Sequence, residues 1–166
     1  PGQVSALVPF SATGETATFV LTNNGVRSNP VDVPLRASAP GIFTIPRNGL
    51  GEGAILDPAF QVISTNNRAR RGSFVQIFLT GLGVTTPAVA DGAAAPSNPL
   101  SVTPGPVSVL IGGTMAENVI YKGLAPTLAG LYQINVQIPA NAPTGLQALA
   151  ILTADGYTDL ADIWIQ

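Results

Sequence analysis

The side chains that could do chemistry are few in this sequence. It contains no His and no Cys, so the usual general base, the usual thiol nucleophile and most transition-metal ligands are missing. Carboxylates, hydroxyls, Lys122 and the phenols of Tyr121, Tyr132 and Tyr157 remain. Lys122 could activate a serine, but no spacing in the sequence favours such a pair. We therefore predict no catalytic residue and no cofactor, and we expect a protein that is not an enzyme.

Carboxylates close together in the sequence are the one candidate for an ion site. Asp155, Asp159 and Asp162 lie near the C-terminus, and Ca²⁺ takes several oxygen ligands from such residues. A turn residue at Asp155 and solvated strand-end charges at the other two explain the same pattern, so we predict no metal site. Asp57 and Asp91 stand beside Pro or Gly, and we predict that both are turn residues bonded to nearby backbone.

Basic and aromatic side chains supply the candidate contacts with a partner. Arg68, Arg70 and Arg71 form the one basic cluster, and a guanidinium can bind a carboxylate or a phosphate; a solvated turn is the alternative. The single Trp, Trp164, could stack against a sugar or could be a core or interface residue. We take these four residues as candidate partner contacts.

Charge and hydropathy exclude two classes of partner and favour one location. Only 10% of the 166 residues are charged and the net charge is -2, so no basic surface is expected to bind nucleic acid. No apolar run approaches the roughly 18 residues of a spanning helix, so we predict no membrane span. Polar, uncharged surface is typical of extracellular or assembled proteins, and we predict an extracellular or cell-surface location with the export signal outside these residues.

Eighteen Gly and fifteen Pro cut the chain into pieces too short for helices and predict an all-β protein. Val4–Val8, closed by Pro9, is the first predicted strand. Residues 16–22 and 31–35 form a predicted hairpin about Asn24-Gly25, a pair that tolerates a type I′ turn. On the last strand Trp164 is predicted to face away from its neighbours. The other predicted strands cover residues 54–56, 60–63, 73–80, 107–111, 119–121, 131–138, 146–153 and 161–165.

The sequence contains an internal repeat. The segment "QVSALVP" at residues 3–9 returns as "QINVQIP" at residues 133–139. Aligned pairs are Gln3 with Gln133, Pro9 with Pro139 and Asp32 with Asp162 at an offset of 130, and Gly14 with Gly145 and Gly25 with Gly156 at 131. A long-period repeat indicates duplicated structural units. Strands within 73–121 precede the second copy and none precedes the first, so we expect the chain to begin in the middle of a domain.

This repeat predicts the domain organisation. Residues 1–36 are predicted to be a partial unit, residues 37–72 a connector with a β-hairpin, and residues 73–166 a complete sandwich. Three strands alone would expose an apolar face and unpaired edges. They would then be covered by this chain's own sandwich, by another chain, or by sequence upstream. Val4, Ala6 and Val8 are the candidate strand-pairing segment.

Several segments, taken in order, resemble a known family. They are "QVSALVPF", "NNGVRSNPVDV", "APGIFT", "ARRGSFVQIFLTGLG", "DGAAAPSNPLS", "VSVLIGG" and "VIYKGLAPTLAGLYQINVQIPANAPTG". Together they are similar to the bacterial, acidobacterial-type uncharacterised extracellular C-terminal domain family, which is related to IPT/TIG immunoglobulin-like domains. The segments "LDPAFQVISTNNRARRG" and "YTDLADIWIQ" depart from the family pattern. The resemblance implies an immunoglobulin-like β-sandwich, here with a partial second sandwich at the N-terminus, in secreted and often multidomain proteins.

We therefore expect a non-catalytic extracellular structural or adhesive module. It would be a subunit of a cell-surface or filamentous assembly completed by neighbouring chains, with protein partners of the same type or adjoining domains. The alternative is a glycan-binding module of a secreted multidomain protein.

Overall fold

The structure, a computed structural model, describes residue 2 and residues 4–166, with the backbone alone at residues 157–160. All regular secondary structure in these residues is β-strand. No helix long and apolar enough to cross a membrane occurs among them. The strands are β1 (Thr16–Phe19), β2 (Thr22–Asn23), β3 (Val26–Arg27), β4 (Val31–Pro34), β5 (Gly41–Ile42), β6 (Gly51–Glu52), β7 (Ile55–Leu56), β8 (Phe74–Thr80), β9 (Ser108–Ile111), β10 (Thr114–Met115), β11 (Val119–Leu124), β12 (Tyr132–Gln137), β13 (Gly145–Leu152) and β14 (Tyr157–Ile165). The protein is all-β, as its Gly and Pro content predicts.

Residues 37–166 form two sheets, and we call them the two-sheet body. One sheet has the strand order β10-β9-β13-β14-β6, in which β14 and β6 are parallel. The other has the order β11-β12-β8-β5, and β7 also pairs with β8. The arrangement is consistent with a β-sandwich.

Alternation along the strands produces one core shared by both sheets. In β12 the buried residues are Tyr132, Ile134 and Val136, and the residues between them are half-buried. Such a period of two places every second side chain on the inner face. Facing strands contribute Leu149, Ile151 and Ile163 from the other sheet to the same core.

The segment predicted as a separate connector, residues 37–72, lies within the body. Its strand β5 pairs with β8 in one sheet, while β6 pairs with β14 in the other. The predicted hairpin inside it is confirmed, since Ile63 N–H donates to Ile55 O at 2.9 Å and Leu56 bridges Val62. Strands on both sides of the boundary predicted at residue 72 therefore belong to the same two sheets, and residues 37–72 are not a separate connector. Strands of two residues are too short to show a period in the sequence.

Residues 4–36 lie outside these sheets, and we call them the N-terminal arm. The arm carries a hairpin in which β1 pairs with β4 and β2 with β3, turning at Asn24 and Gly25 with φ angles of 49° and 81°. The predicted turn is thus confirmed. The strand predicted at Val4–Val8 is wrong, because these residues pair with no strand. The pattern of side chains was strand-like, but a strand also needs a neighbouring backbone.

Candidate functional site

The arm repeats the backbone pairing of the C-terminal copy, residues 134–166. Adding 130 to each residue of the arm hairpin reproduces the pairs of β13 with β14. The arm pairs are Thr16 with Pro34, Ala17 with Val33, Thr18 with Asp32, Phe19 with Val31 and Thr22 with Arg27; the later pairs are Leu146 with Trp164, Gln147 with Ile163, Ala148 with Asp162, Leu149 with Ala161 and Leu152 with Tyr157. The two hairpins are structural duplicates in register.

Irregular features of the two copies also coincide. Both hairpins carry one extra residue on the second strand, at residues 29–30 in the arm and 159–160 in the copy. Upstream, Ala12 N–H donates to Pro9 O and Ala142 N–H donates to Pro139 O, each at 3.1 Å. The offset is therefore 130 throughout the pairing. The one-residue insertion suggested by aligning glycines in the sequence is wrong. The glycines occupy positions that differ by one residue between the copies, while the backbone pairing keeps the same register.

Burial differs sharply between the copies. The inward residues of the C-terminal copy are at most 1% exposed, namely Ile134, Val136, Ile138, Leu149, Ile151, Ala161 and Ile163. Their arm equivalents are all apolar and all exposed, and we call them the arm face: Val4, Ala6, Val8, Phe19, Leu21, Val31 and Val33. Val4 is 68% exposed and Leu21 is 52% exposed. The arm thus presents to solvent the side-chain pattern that the body uses as its core.

A cleft of about 650 Å³ lies between the arm and the end of the body. Ala6 and Val8 line it from the N-terminal segment, Phe19 and Val33 line it from the hairpin, and Tyr132 lines it from the body. Four of the seven residues of the arm face therefore border one cavity. An open apolar cleft of this kind fits an incompletely filled core.

Close backbone contacts fix where the arm leaves the body. Ala39 N–H donates to Gly81 O at 2.8 Å, and a Cβ on Gly81 would lie 1.9 Å from Ala39 O. Gly83 is equally confined, since its Cβ would lie 2.4 Å from Ala37 O. Only glycine admits this approach at the positive φ angles of 78° and 84° that the two residues adopt.

Side chains add to this junction. The buried Tyr132 donates its hydroxyl to Gly83 O, and burial raises the pKa of Tyr132 to about 12. The Ser38 hydroxyl lies 2.8 Å from Thr153 Oγ1 and 3.3 Å from Asp155 Oδ2. Leu7 packs at Gly130, where a Cβ would lie 2.3 Å from its side chain. These contacts therefore fix the orientation of the arm relative to the body and leave the arm face uncovered.

The carboxylate of Asp91, predicted to bond to nearby backbone in a turn, binds the arm instead. Asp91 accepts the Ser11 N–H at 3.2 Å and the Ser11 hydroxyl. These hydrogen bonds, the hydroxyl first, lower the pKa of Asp91. The two residues are 80 positions apart, and no signal in the sequence could have paired them. At Asp57 the turn prediction is confirmed, because its Oδ1 accepts Ala59 N–H and Gln61 N–H, each at 2.9 Å.

Among the predicted contacts, Trp164 and Arg68 are brought together. Trp164 faces away from the buried Ile163 and Ile165, as predicted. Its indole N–H donates to Glu52 Oε1 at 3.0 Å, and the Arg68 guanidinium lies 5.0 Å from the ring centroid. This is cation–π geometry. One face and the polar edge of the ring are thus already engaged.

The remaining predicted contacts are dispersed. Arg70 and Arg71 are exposed in the turn before β8, whereas Val4, Ala6 and Val8 belong to the arm face. Of the predicted turn and strand-end carboxylates, Asp155 lies beside Ser38 at the junction, Asp162 sits in β14, and the Asp159 side chain lies outside the described residues. The described residues contain no group of three or more His, Cys, Asp and Glu placed to hold a metal.

No family model, curated protein or solved structure matches this chain.

Proposed function

We propose that this protein is a non-catalytic structural module of an extracellular assembly, built on an immunoglobulin-like, IPT/TIG-related fold. The arm face is the surface through which it joins another polypeptide. One observation carries this proposal: seven apolar positions of the arm are exposed although their register-matched equivalents form a core.

The size of the exposed face sets what it can do. Complete burial of one large aliphatic side chain contributes about 1.5–3 kcal/mol. Six of the seven residues are large and are 42% to 68% exposed, so covering them would contribute on the order of 5–9 kcal/mol. Association itself costs about 4–15 kcal/mol. Side-chain burial alone therefore supports weak association, and a stable joint needs backbone pairing as well.

Backbone for such pairing is present on the arm. The edge of β1 away from β4 pairs with no described strand, and the same holds for residues 4–8. Unpaired strand edges are templates for another chain. The low charge of the protein, 10% of residues, also favours contact with neighbours, because few ions need to be desolvated.

The glycan-binding alternative has less support. A sugar platform needs a free aromatic face, but Arg68 covers one face of Trp164 and Glu52 holds its N–H. The arm face contains one aromatic residue, Phe19, among aliphatic ones. Polypeptide is therefore the favoured class of ligand.

Sedimentation velocity over a wide range of concentration tests this proposal. We expect the chain to self-associate weakly as its concentration rises, because the arm face has no other cover. Leu21→Glu should abolish that association, whereas Ile120→Glu, at a 60% exposed position of β11, should leave it intact. A stable monomer at every concentration, with arm amides fully protected from hydrogen exchange, would contradict the role of the arm face.

A further inference from the structure

The C-terminal copy identifies what covers a face of this kind. Its strand β12 lies between β8 and β11, and β13 pairs with β9. The buried residues Val75, Ile77 and Ile111 of those strands belong to the same core as Ile134 and Leu149. The cover is therefore supplied by residues 37–130, which contain all of these partner strands.

The free edges of the arm match the edges that residues 37–130 occupy in the body. Leu149 and Leu152 pair with Ile111 and Ser108, and their arm equivalents are Phe19 and Thr22. Ile134 pairs with Ile77 on one side and Lys122 on the other, and its arm equivalent is Val4. Phe19, Thr22 and Val4 have no such paired neighbours, so the free strand edges of the arm and the arm face can be covered by the same kind of segment.

We infer that the occupant of the arm face is a polypeptide segment with the strand arrangement of residues 37–130. The arm would complete that segment as residues 134–165 complete the body. This inference rests on the proposed function and adds the identity and register of the partner. The partner's equivalent of Ile111 pairs with Phe19, its equivalent of Ser108 pairs with Thr22, and its equivalent of Ile77 pairs with Val4.

The uniform offset makes a direct experiment available. Because residue 131 corresponds to residue 1, a lengthened chain with residues 37–130 repeated ahead of Pro1 keeps the spacing found between β11 and β12. Hydrogen exchange of residues 16–34 is then compared in the original and lengthened chains. We expect exchange in the lengthened chain to be at least about a hundredfold slower and to approach that of residues 146–164. Self-association should disappear as well.

Cysteine pairs test the register separately from folding efficiency. The protein has no Cys, so two introduced thiols are the only ones present. In the lengthened chain, Phe19→Cys with Ile111→Cys in the added segment should form a disulfide rapidly, since directly opposed residues have suitable Cβ spacing. The matched pair Phe19→Cys with Ser108→Cys in the added segment should not.

The outcomes separate the two proposals. If Leu21→Glu abolishes self-association but the arm of the lengthened chain still exchanges rapidly, the arm face has another occupant and this inference is wrong while the proposed function stands. If the original chain forms a closed dimer in which the two arms protect each other, a second arm is the occupant and the inference is again wrong. If neither association nor protection is observed, both proposals fail.

Discussion

Truncating two register-matched residues measures directly how different the two copies are. Ile151 is 0% exposed in the core and Leu21, its arm equivalent, is 52% exposed. Ile→Ala in a packed core costs about 2–5 kcal/mol of unfolding free energy, because apolar contact is lost and a cavity remains. Leu21→Ala removes methyl groups that are half in water already, so about 1 kcal/mol or less is expected.

Urea unfolding followed by tryptophan fluorescence is the assay, because the single Trp, Trp164, lies in the body. Ile151→Ala should lower the unfolding midpoint strongly. Leu21→Ala should leave it nearly unchanged, as should the control Ile120→Ala at another exposed position. If Leu21→Ala destabilises the protein as much as Ile151→Ala, the arm face is buried in solution and the reasoning about its exposure is refuted.

Three further predictions concern the junction of arm and body. Gly81→Ala should destabilise the junction much more than Gly92→Ala. The two glycines have similar φ angles, 78° and 71°, but only at Gly81 would a Cβ collide with backbone. Thermal unfolding and hydrogen exchange of the arm, measured on both variants, test this. Because the pKa of Asp91 is lowered, its hydrogen bonds to Ser11 stabilise the junction fully at pH values above the ordinary carboxyl pKa of 3.8, and they are lost as the pH falls through the lowered pKa. Hydrogen exchange of the arm should become faster in that pH range, and Asp91→Ala should remove this pH dependence. Burial raises the pKa of Tyr132 from 10.0 to about 12, so its contribution to stability is complete below pH 10 and declines as the pH rises toward 12. A phenolate absorbance titration, with Tyr132→Phe as reference, should show this late ionisation. Ionisation of Tyr132 near the ordinary pKa of 10.0 would contradict it.

The sequence predicted those parts of the fold that depend on side-chain period and turn chemistry. The strand at residues 73–80, the turn at Asn24-Gly25 and the placement of Trp164 on the side of its strand opposite Ile163 and Ile165 are confirmed. Each of these features is decided by residues adjacent in the chain. Local physics was sufficient for them.

Features that depend on distant backbone could not be predicted in this way. Val4–Val8 has the side chains of a strand but no neighbour with which to pair. The bond from Ser11 to Asp91 joins residues 80 positions apart, and β5 and β6 are too short to carry a pattern. The repeat itself was visible, but the arm face became recognisable only when pairing fixed the offset and burial could be compared position by position.

The second strand of the arm hairpin also bears on aggregation. Leu35 N–H donates inward to Glu15 O, so the residue before it would direct its amide to the outer edge of β4, and that residue is Pro34, which has no amide hydrogen. The extra residue at Asn29-Pro30 interrupts the same edge. A long regular strand is therefore disfavoured there, and the equivalent edge of β14 carries only the two-residue strand β6. The β1 edge contains no proline. A long regular strand can extend the hairpin on the β1 side only, while the β4 side accepts a short segment such as β6, which favours a single closed joint over the edge-to-edge growth of a fibril.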